Sequence, residues 1–230
     1  MKTSKHRLIH REGLPLIVLS ALVLTCLNIL LFRLGAGWIA WSALGISVVI
    51  LSFFILFFRN PVNIIKDMGD EDILSPADGR VVVVEPAFED RLLKAPCLQI
   101  SIFMPVTAVH ANWYPLNGTV RHVSHRKGRF QAAWLPKSSQ ENESSSILIE
   151  ARHGGQTVLL RQIAGAVARR IVTYAHEGDE SSLNSQLGFI KFGSRVDLFF
   201  PPDSVEVMVR PGDRVKGNQT RIARFKSVAK

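Results

Sequence analysis

The sequence predicts a mostly β soluble domain, a barrel or sandwich with carrier-domain-like elements, preceded by an N-terminal two-helix transmembrane hairpin. Three observations carry this. The first 59 residues hold two long uncharged apolar runs. Beyond Asn60 the hydrophobic segments become short, branched and alternating. Turn-forming Gly, Asp, Asn and Pro clusters separate those segments. Hydrophobic residues make up 47% of the 230, and mean hydropathy is +0.17 despite 20% charged residues, so the apolar excess must be concentrated somewhere. That distribution excludes disordered, collagen-like and heptad-repeat proteins. Two cysteines, Cys26 inside an apolar run and Cys97 far from it, exclude a disulfide framework and a Cys-rich zinc site.

The anchor occupies residues 1–59. Leu14–Phe32 and Trp38–Phe58 are free of charge, and each matches the roughly 20 residues that a membrane-spanning helix needs. The link Arg33-Leu34-Gly35-Ala36-Gly37 is short and turn-prone, which makes a hairpin. Lys2, Lys5, Arg7 and Arg11 precede the first span, Arg59 and Lys66 follow the second, and the link has only Arg33. The positive-inside rule then puts both ends, and residues 60–230, on the cytoplasmic side of the cell (inner) membrane. A cleaved signal peptide over the first span is the alternative, against which its length argues. The second span would still stop transfer and leave the domain on the same side.

In residues 60–230, Leu98–Met104, Ser146–Glu150, Thr157–Ile163, Arg195–Phe200 and Val205–Arg210 read as strands, with turns at Ala77-Asp78-Gly79, Asn117-Gly118, Gly154-Gly155 and Pro211-Gly212-Asp213. A short helix is expected near Val106–Val109, and Ser138–Ser146 reads as a polar loop. Two pieces mirror each other, Ser75–Val82 and Pro211–Gly217, each placing a turn before a Val-bearing strand. The second resembles the turn of biotinyl and lipoyl carrier domains, but the exposed Met-Lys-Met of a carrier is missing. Both are read as structural turns.

Formal charge is +9, distributed as +5 over residues 1–59, zero over 60–193 and +4 over 194–230. Basic ends beside a membrane anchor suit anionic lipid head groups. No nucleic acid is expected, since no basic-aromatic interleaving or recognised module accompanies the charge. His122, His125, His153 and His176 show no ligand spacing with acidic or Cys partners, and no metal is expected.

One dipeptide carries distinctive chemistry. Gly193-Ser194 lies between an apolar stretch, Leu187–Ile190, and a strand-like run. Glycine offers an unhindered carbonyl and accepts strained backbone geometry, and the serine hydroxyl can fold back on that carbonyl. An N→O acyl shift followed by β-elimination would break the chain there and turn Ser194 into a pyruvoyl group. An isolated Gly-Ser is ordinarily only a turn, so the reading depends on its company.

That company is Ser75–Val81 (SPADGRV), Phe103–Pro115 (FMPVTAVHANWYP), Gln162–Ile171 (QIAGAVARRI), Gly188–Pro201 (GFIKFGSRVDLFFP) and Gly212–Ala223 (GDRVKGNQTRIA). On these segments, in this order, the chain resembles the phosphatidylserine decarboxylase family in its short, membrane-anchored form. The likeness extends over nearly all of residues 60–230, and Phe-Gly-Ser-Arg-Val-Asp is its most specific piece.

The resemblance implies a proenzyme that cuts itself between Gly193 and Ser194, dividing the catalytic domain 60–230 into 60–193 and 194–230. The products would stay together as a heterodimer, or a higher oligomer of it. Ser194 would become the covalent pyruvoyl cofactor, a built-in electron sink for decarboxylating a phospholipid in the membrane to phosphatidylethanolamine. His110 and Asp78 match the imidazole and acid that the family pairs with the serine: the first to take its proton, the second to orient or charge-stabilise the ring. Taken alone, Asp78 reads equally as an Asx-turn cap, and His110 as a hydrogen-bonded core histidine.

Two departures stand out. Longer bacterial relatives carry a second histidine three positions after the first, where this chain has Trp113. The short form commonly has Asn-Arg-Ala-Pro where this chain has Asn112-Trp113-Tyr114-Pro115. Trp113, Tyr114 and Trp134 are candidates for contacting the membrane interface or for the core. Arg169-Arg170 are candidates for a lipid phosphate. The same chemistry on another serine lipid, and a non-enzymatic membrane-tethered β adaptor or carrier-like module, are the alternatives.

Overall fold

A computed structural model describes residues 8–61, 65, 68–128, 142–152, 154–165, 170–191 and 193–226. The chain forms two compact units, one ending at Val62 and the other starting at Asn63.

The first unit is a helical hairpin of α1 (Leu14–Arg33) and α2 (Trp38–Phe57). Both helices are long and apolar enough to cross a membrane. Gly35 and Gly37, at φ +68° and +51°, make the turn between them, a conformation open to glycine at little cost. The helices meet through polar and aromatic contacts. Asn28 Nδ2 donates to Ser47 Oγ at 2.8 Å, and Phe32 meets Trp41 edge to face at 5.3 Å. Their outer faces stay uncovered: Trp41 is 68% exposed and Val49 69%. Core helices of a soluble protein would not leave such a surface bare.

The second unit is mostly β, as expected. Its strands among the described residues are β1 (Asp72–Leu74), β2 (Gly79–Glu89), β3 (Ala95–Met104), β4 (Ala111–Trp113), β5 (Gly118–Arg126), β6 (Ser144–Ala151), β7 (Thr157–Ala164), β8 (Ile171–Thr173), β9 (Glu180–Ser181), β10 (Gln186–Ile190), β11 (Ser194–Phe200), β12 (Val205–Val207), β13 (Arg214–Val215) and β14 (Arg221–Phe225). An eight-stranded sheet runs β13-β2-β3-β11-β7-β6-β5-β9; two smaller ones run β4-β10-β8 and β1-β14-β12. Among the described residues the strand pairings are all antiparallel, so short turns suffice to connect most neighbours.

The two mirrored turns pair with each other. Arg214 lies opposite Arg80 and Val215 opposite Gly79, with Val81 N–H donating to Asp213 O at 2.9 Å and Gly212 N–H to Val81 O at 2.8 Å. Gly79 cannot carry a side chain, because a Cβ there would sit 2.2 Å from Phe103 O. That close approach seats the Asp78 turn against β3. Past Val81, β2 has only β3 beside it among the described residues, an edge position that tolerates Pro86.

Some expectations fail locally. Residues Val106–Val109 form a turn closed by Ala108 N–H to Pro105 O, and no helix, because β3 ends and β4 begins too close on either side. Ser144–Ser146 belong to β6, so the polar stretch ends in a strand; positions 138–141 lie outside the described residues. The strand expected at Val205–Arg210 stops at Val207.

Strand β11 is the spine of this unit. Val196, Leu198 and Phe200 enter the main core with Ile100, Ile102 and Leu160, while Phe199 packs on the opposite face with Cys97 and Leu159. That opposite face also buries charge. Arg161 pairs with Glu89, their side chains 4% and 0% exposed, and its guanidinium lies 5.0 Å from the Phe199 ring centroid. Burial pushes the Glu89 carboxyl up, but the Arg161 guanidinium and the N–H groups of Leu93 and Leu92 outweigh it and hold it below the ordinary carboxylate range. A depressed carboxyl contributes stability above its unfolded value, and that contribution vanishes as pH falls through the folded one. Glu89→Ala should therefore destabilise the domain by roughly 3–5 kcal/mol at neutral pH, by stranding the buried Arg161. Thermal melts of both proteins should converge as the pH is lowered below the carboxylate range; a constant gap would contradict the pairing.

Candidate active site

Ser194 is the first residue of β11 and is fully buried. It lies opposite Met104 of β3 on one side and Ala164 of β7 on the other. Its hydroxyl donates to the Met104 thioether at 3.2 Å. A thioether is a weak acceptor, so this hydroxyl is lightly held. Gly193, just before it, sits at φ +66°, the left-handed region where a β-carbon is strained. A Cβ there would otherwise meet only Val106 Cγ2, at 3.8 Å, so backbone conformation and not crowding selects glycine.

His110 is fully buried at the entry to β4. Its Nδ1 lies 2.9 Å from Ala108 O, and Gly193 N–H donates to its Nε2 at 3.2 Å. A carbonyl only accepts, so the proton is on Nδ1 and the Nε2 lone pair faces the Gly193-Ser194 segment. The main chain adds a second tie, Ile190 N–H to His110 O at 3.2 Å. His110 thus meets the Gly193-Ser194 segment through the Gly193 N–H.

Asp78 Oδ1 accepts from Gly217 N–H at 2.7 Å, and the Ala108 carbonyl lies 2.9 Å from His110 Nδ1. The turn that carries Asp78 is joined to the His110 strand, through Trp113 N–H to Pro76 O at 2.9 Å.

The rest of Phe-Gly-Ser-Arg-Val-Asp acquires physical reasons here. Arg195 and Asp197 point to the second face of the sheet and are buried there. Arg195 donates to Asp197 Oδ1 at 2.6 Å and to Ser101 Oγ at 2.7 Å, and Gln99 donates to Asp197 Oδ2 at 3.2 Å. This lattice pins β11 to β3 immediately after Ser194. Phe192 lies outside the described residues.

Trp113 and Tyr114 are core, only 3% and 5% exposed, which removes them as interface contacts. Trp113 fills the space beside Gly217, where a Cβ would come within 2.5 Å of its ring. Burial, with a smaller effect of the Asp179 charge, pushes the Tyr114 phenol up to about 12, so it stays protonated at neutral pH. Trp134 and Arg169 lie outside the described residues, whereas Arg170 is exposed. The histidines expected to be free of metal roles make surface pairs: His122 with Glu177 at 2.7 Å, His125 with Glu143 at 3.3 Å and His176 with Asp179 at 3.5 Å. His153 lies outside the described residues.

The family model for phosphatidylserine decarboxylase matches residues 50–223, which takes in every segment of this site. The chain belongs to the phosphatidylserine decarboxylase family. Relatives named phosphatidylserine decarboxylase proenzyme agree with it over nearly full length. The protein of Parabacteroides distasonis is 48% identical over 94% of this chain and 98% of its own. Those of Porphyromonas gingivalis and Cytophaga hutchinsonii are 45% and 40% identical, over 94% and 95% of this chain and 98% and 99% of theirs. Membership of the phosphatidylserine decarboxylase family makes the chain a decarboxylase.

Sequence reasoning did not single out Met104, which accepts from Ser194, or Asn112 and Gln162, which lead on from Met104 through hydrogen bonds. Each lies within a segment that carried the family likeness, but their role depends on cross-strand register, which a single sequence does not display.

Proposed function

We propose that this chain is a proenzyme that cuts itself between Gly193 and Ser194 and then, at the cytoplasmic face of a membrane, decarboxylates phosphatidylserine to phosphatidylethanolamine. The observation that supports it most is the contact of His110 Nε2 with the N–H of Gly193, a glycine in the left-handed conformation immediately before a buried, lightly held serine.

In the cleavage, the Nε2 lone pair exchanges the long Gly193 N–H bond for the Ser194 hydroxyl and takes its proton. The freed oxygen adds to the Gly193 carbonyl carbon. The C–N bond breaks with the proton going to the Ser194 nitrogen, and an ester remains. Loss of the Ser194 α-proton expels the Gly193 carboxylate, and water then replaces the amine as ammonia. Asp78, in the turn joined to the His110 strand, supplies negative charge toward the imidazolium that forms.

The fold suits a group made from residue 194. Ser194 is clamped between β3 and β7, and after the break each small-chain strand keeps a large-chain neighbour directly or through one strand: β11 with β3 and β7, β13 with β2, β14 with β1. The two products therefore remain one heterodimer. A pyruvoyl group supplies a carbonyl into which electrons are drawn as carbon dioxide leaves the serine head group. His110 stays beside it to hold or return a proton. The hairpin keeps this centre at the bilayer where the diacyl substrate resides, and the basic residues at both ends of the hairpin favour the cytoplasmic side.

The test is to incubate the full chain with phosphatidylserine vesicles and follow lipid head groups by mass spectrometry. Phosphatidylethanolamine should appear and should stop appearing after borohydride treatment, which reduces the carbonyl. A cleaved, folded chain that leaves phosphatidylserine untouched would overturn the substrate and point to another serine lipid.

A further inference from the structure

A continuous buried polar chain leads from Ser194 into the domain. Asn112 Nδ2 donates to the same Met104 sulfur that accepts from Ser194, at 3.6 Å. Gln162 Nε2 donates to Asn112 Oδ1 at 2.7 Å. Thr173 Oγ1 in turn donates to Gln162 Oε1 at 3.0 Å, with Ser145 Oγ 2.7 Å behind it. Asn112 and Gln162 are both fully buried.

The chain has a direction, and its direction is informative. Because Gln162 presents an N–H to Asn112, the Asn112 amide turns its oxygen toward Gln162 and its NH₂ toward the Met104 sulfur, the atom that also accepts from Ser194. A buried amide N–H is costly to leave poorly satisfied, and a thioether 3.6 Å away satisfies it weakly. This donor and the reacting serine therefore share one weak acceptor. The fold also makes room for the arrangement: a Cβ on Gly188 would lie 2.7 Å from Gln162 Nε2, so only glycine there lets Gln162 reach Asn112.

We propose that Asn112 is the hydrogen-bond donor for the Ser194 oxygen once its proton has left, and that Gln162 is the positioning residue that keeps the donor facing it. In the resting state the Ser194 oxygen is itself a donor and faces sulfur. When His110 takes the proton, the oxygen becomes an acceptor, and the Asn112 N–H exchanges the thioether for it. Charge that develops on the attacking oxygen is then met by a donor already oriented. No proton moves through the amides. The inference rests on the self-cleavage reading above.

Two isosteric changes test it in the full chain. Gln162→Glu replaces the N–H that orients Asn112 with an acceptor, so the Asn112 amide turns over and presents its oxygen to Ser194. Asn112→Asp keeps the acceptor for Gln162 and removes the donor. Each should slow the appearance of the two fragments by about 100-fold or more, the usual effect of losing one such donor, with the melting temperature within a few degrees of the parent. Hydroxylamine, which cleaves an ester already formed, should not restore the rate, since the defect precedes the ester. Asn112→Ala serves if an isosteric acid fails to fold.

Cleavage of these variants at the parent rate would overturn the proposal, and so would full rescue by hydroxylamine. Failure of the parent chain itself to split at Gly193-Ser194 is a separate result and would overturn the underlying reading.

Discussion

Ser194→Ala is expected to leave the chain in one piece and to abolish decarboxylation completely. The methyl group keeps the volume of the buried site but removes the one atom that can attack the Gly193 carbonyl. The surrounding fold should tolerate it, because the lost bond is a hydroxyl to a thioether, among the weakest that Ser194 could make. Gel electrophoresis of the purified variant should show a single band that melts within a few degrees of the parent. The clamp of Arg195 and Asp197 on Ser101 and Gln99 holds β11 in register independently of residue 194. A variant that still splits at this position would remove Ser194 from the chemistry.

His110→Ala should slow self-cleavage by roughly 10²- to 10⁴-fold, the usual contribution of a positioned general base. The imidazole is in contact with the Gly193-Ser194 segment, and its Nδ1 bond to Ala108 O aims the Nε2 lone pair at it. The variant leaves a buried cavity of ring size, so added imidazole should recover part of the rate in a time course of fragment formation. A wild-type rate without imidazole would show that the proton goes elsewhere. Asp78→Asn keeps an acceptor for Gly217 N–H and removes only the charge that favours the imidazolium, so it should slow cleavage less than His110→Ala.

Much of this molecule is legible in the amino-acid order because the signals are local. Charge-free runs of membrane length mark α1 and α2 to within about a residue, and branched alternation marks the long central strands β3, β7 and β11. Short strands such as β4, β8 and β9 escape, since two or three residues carry no period. The turn over Val106–Val109 escapes for a related reason: the residues between β3 and β4 are too few for a helical period.

At the site, Gly193, Ser194 and His110 could be named from their motifs, and they meet in space. Asp78 could be named too, but its neighbour Gly217 lies far along the chain and appears only when β2 and β13 pair. Trp113 and Tyr114 show the limit of composition most clearly. An aromatic pair suits an interface or a core equally well, and the choice falls to the core because Gly217 opens a slot for the indole. Asn112 and Gln162 are ordinary polar residues in sequence, and only the hydrogen bonds that link Gln162 to Asn112 and Asn112 to Met104 give them meaning.

The central claim is a covalent one, so the intact mass of the purified, folded wild-type chain tests it most directly. The account predicts two fragments that divide between Gly193 and Ser194, the smaller beginning with a carbonyl group and resistant to sequencing from its N-terminus. A single full-length mass with an unmodified serine at position 194 would contradict it.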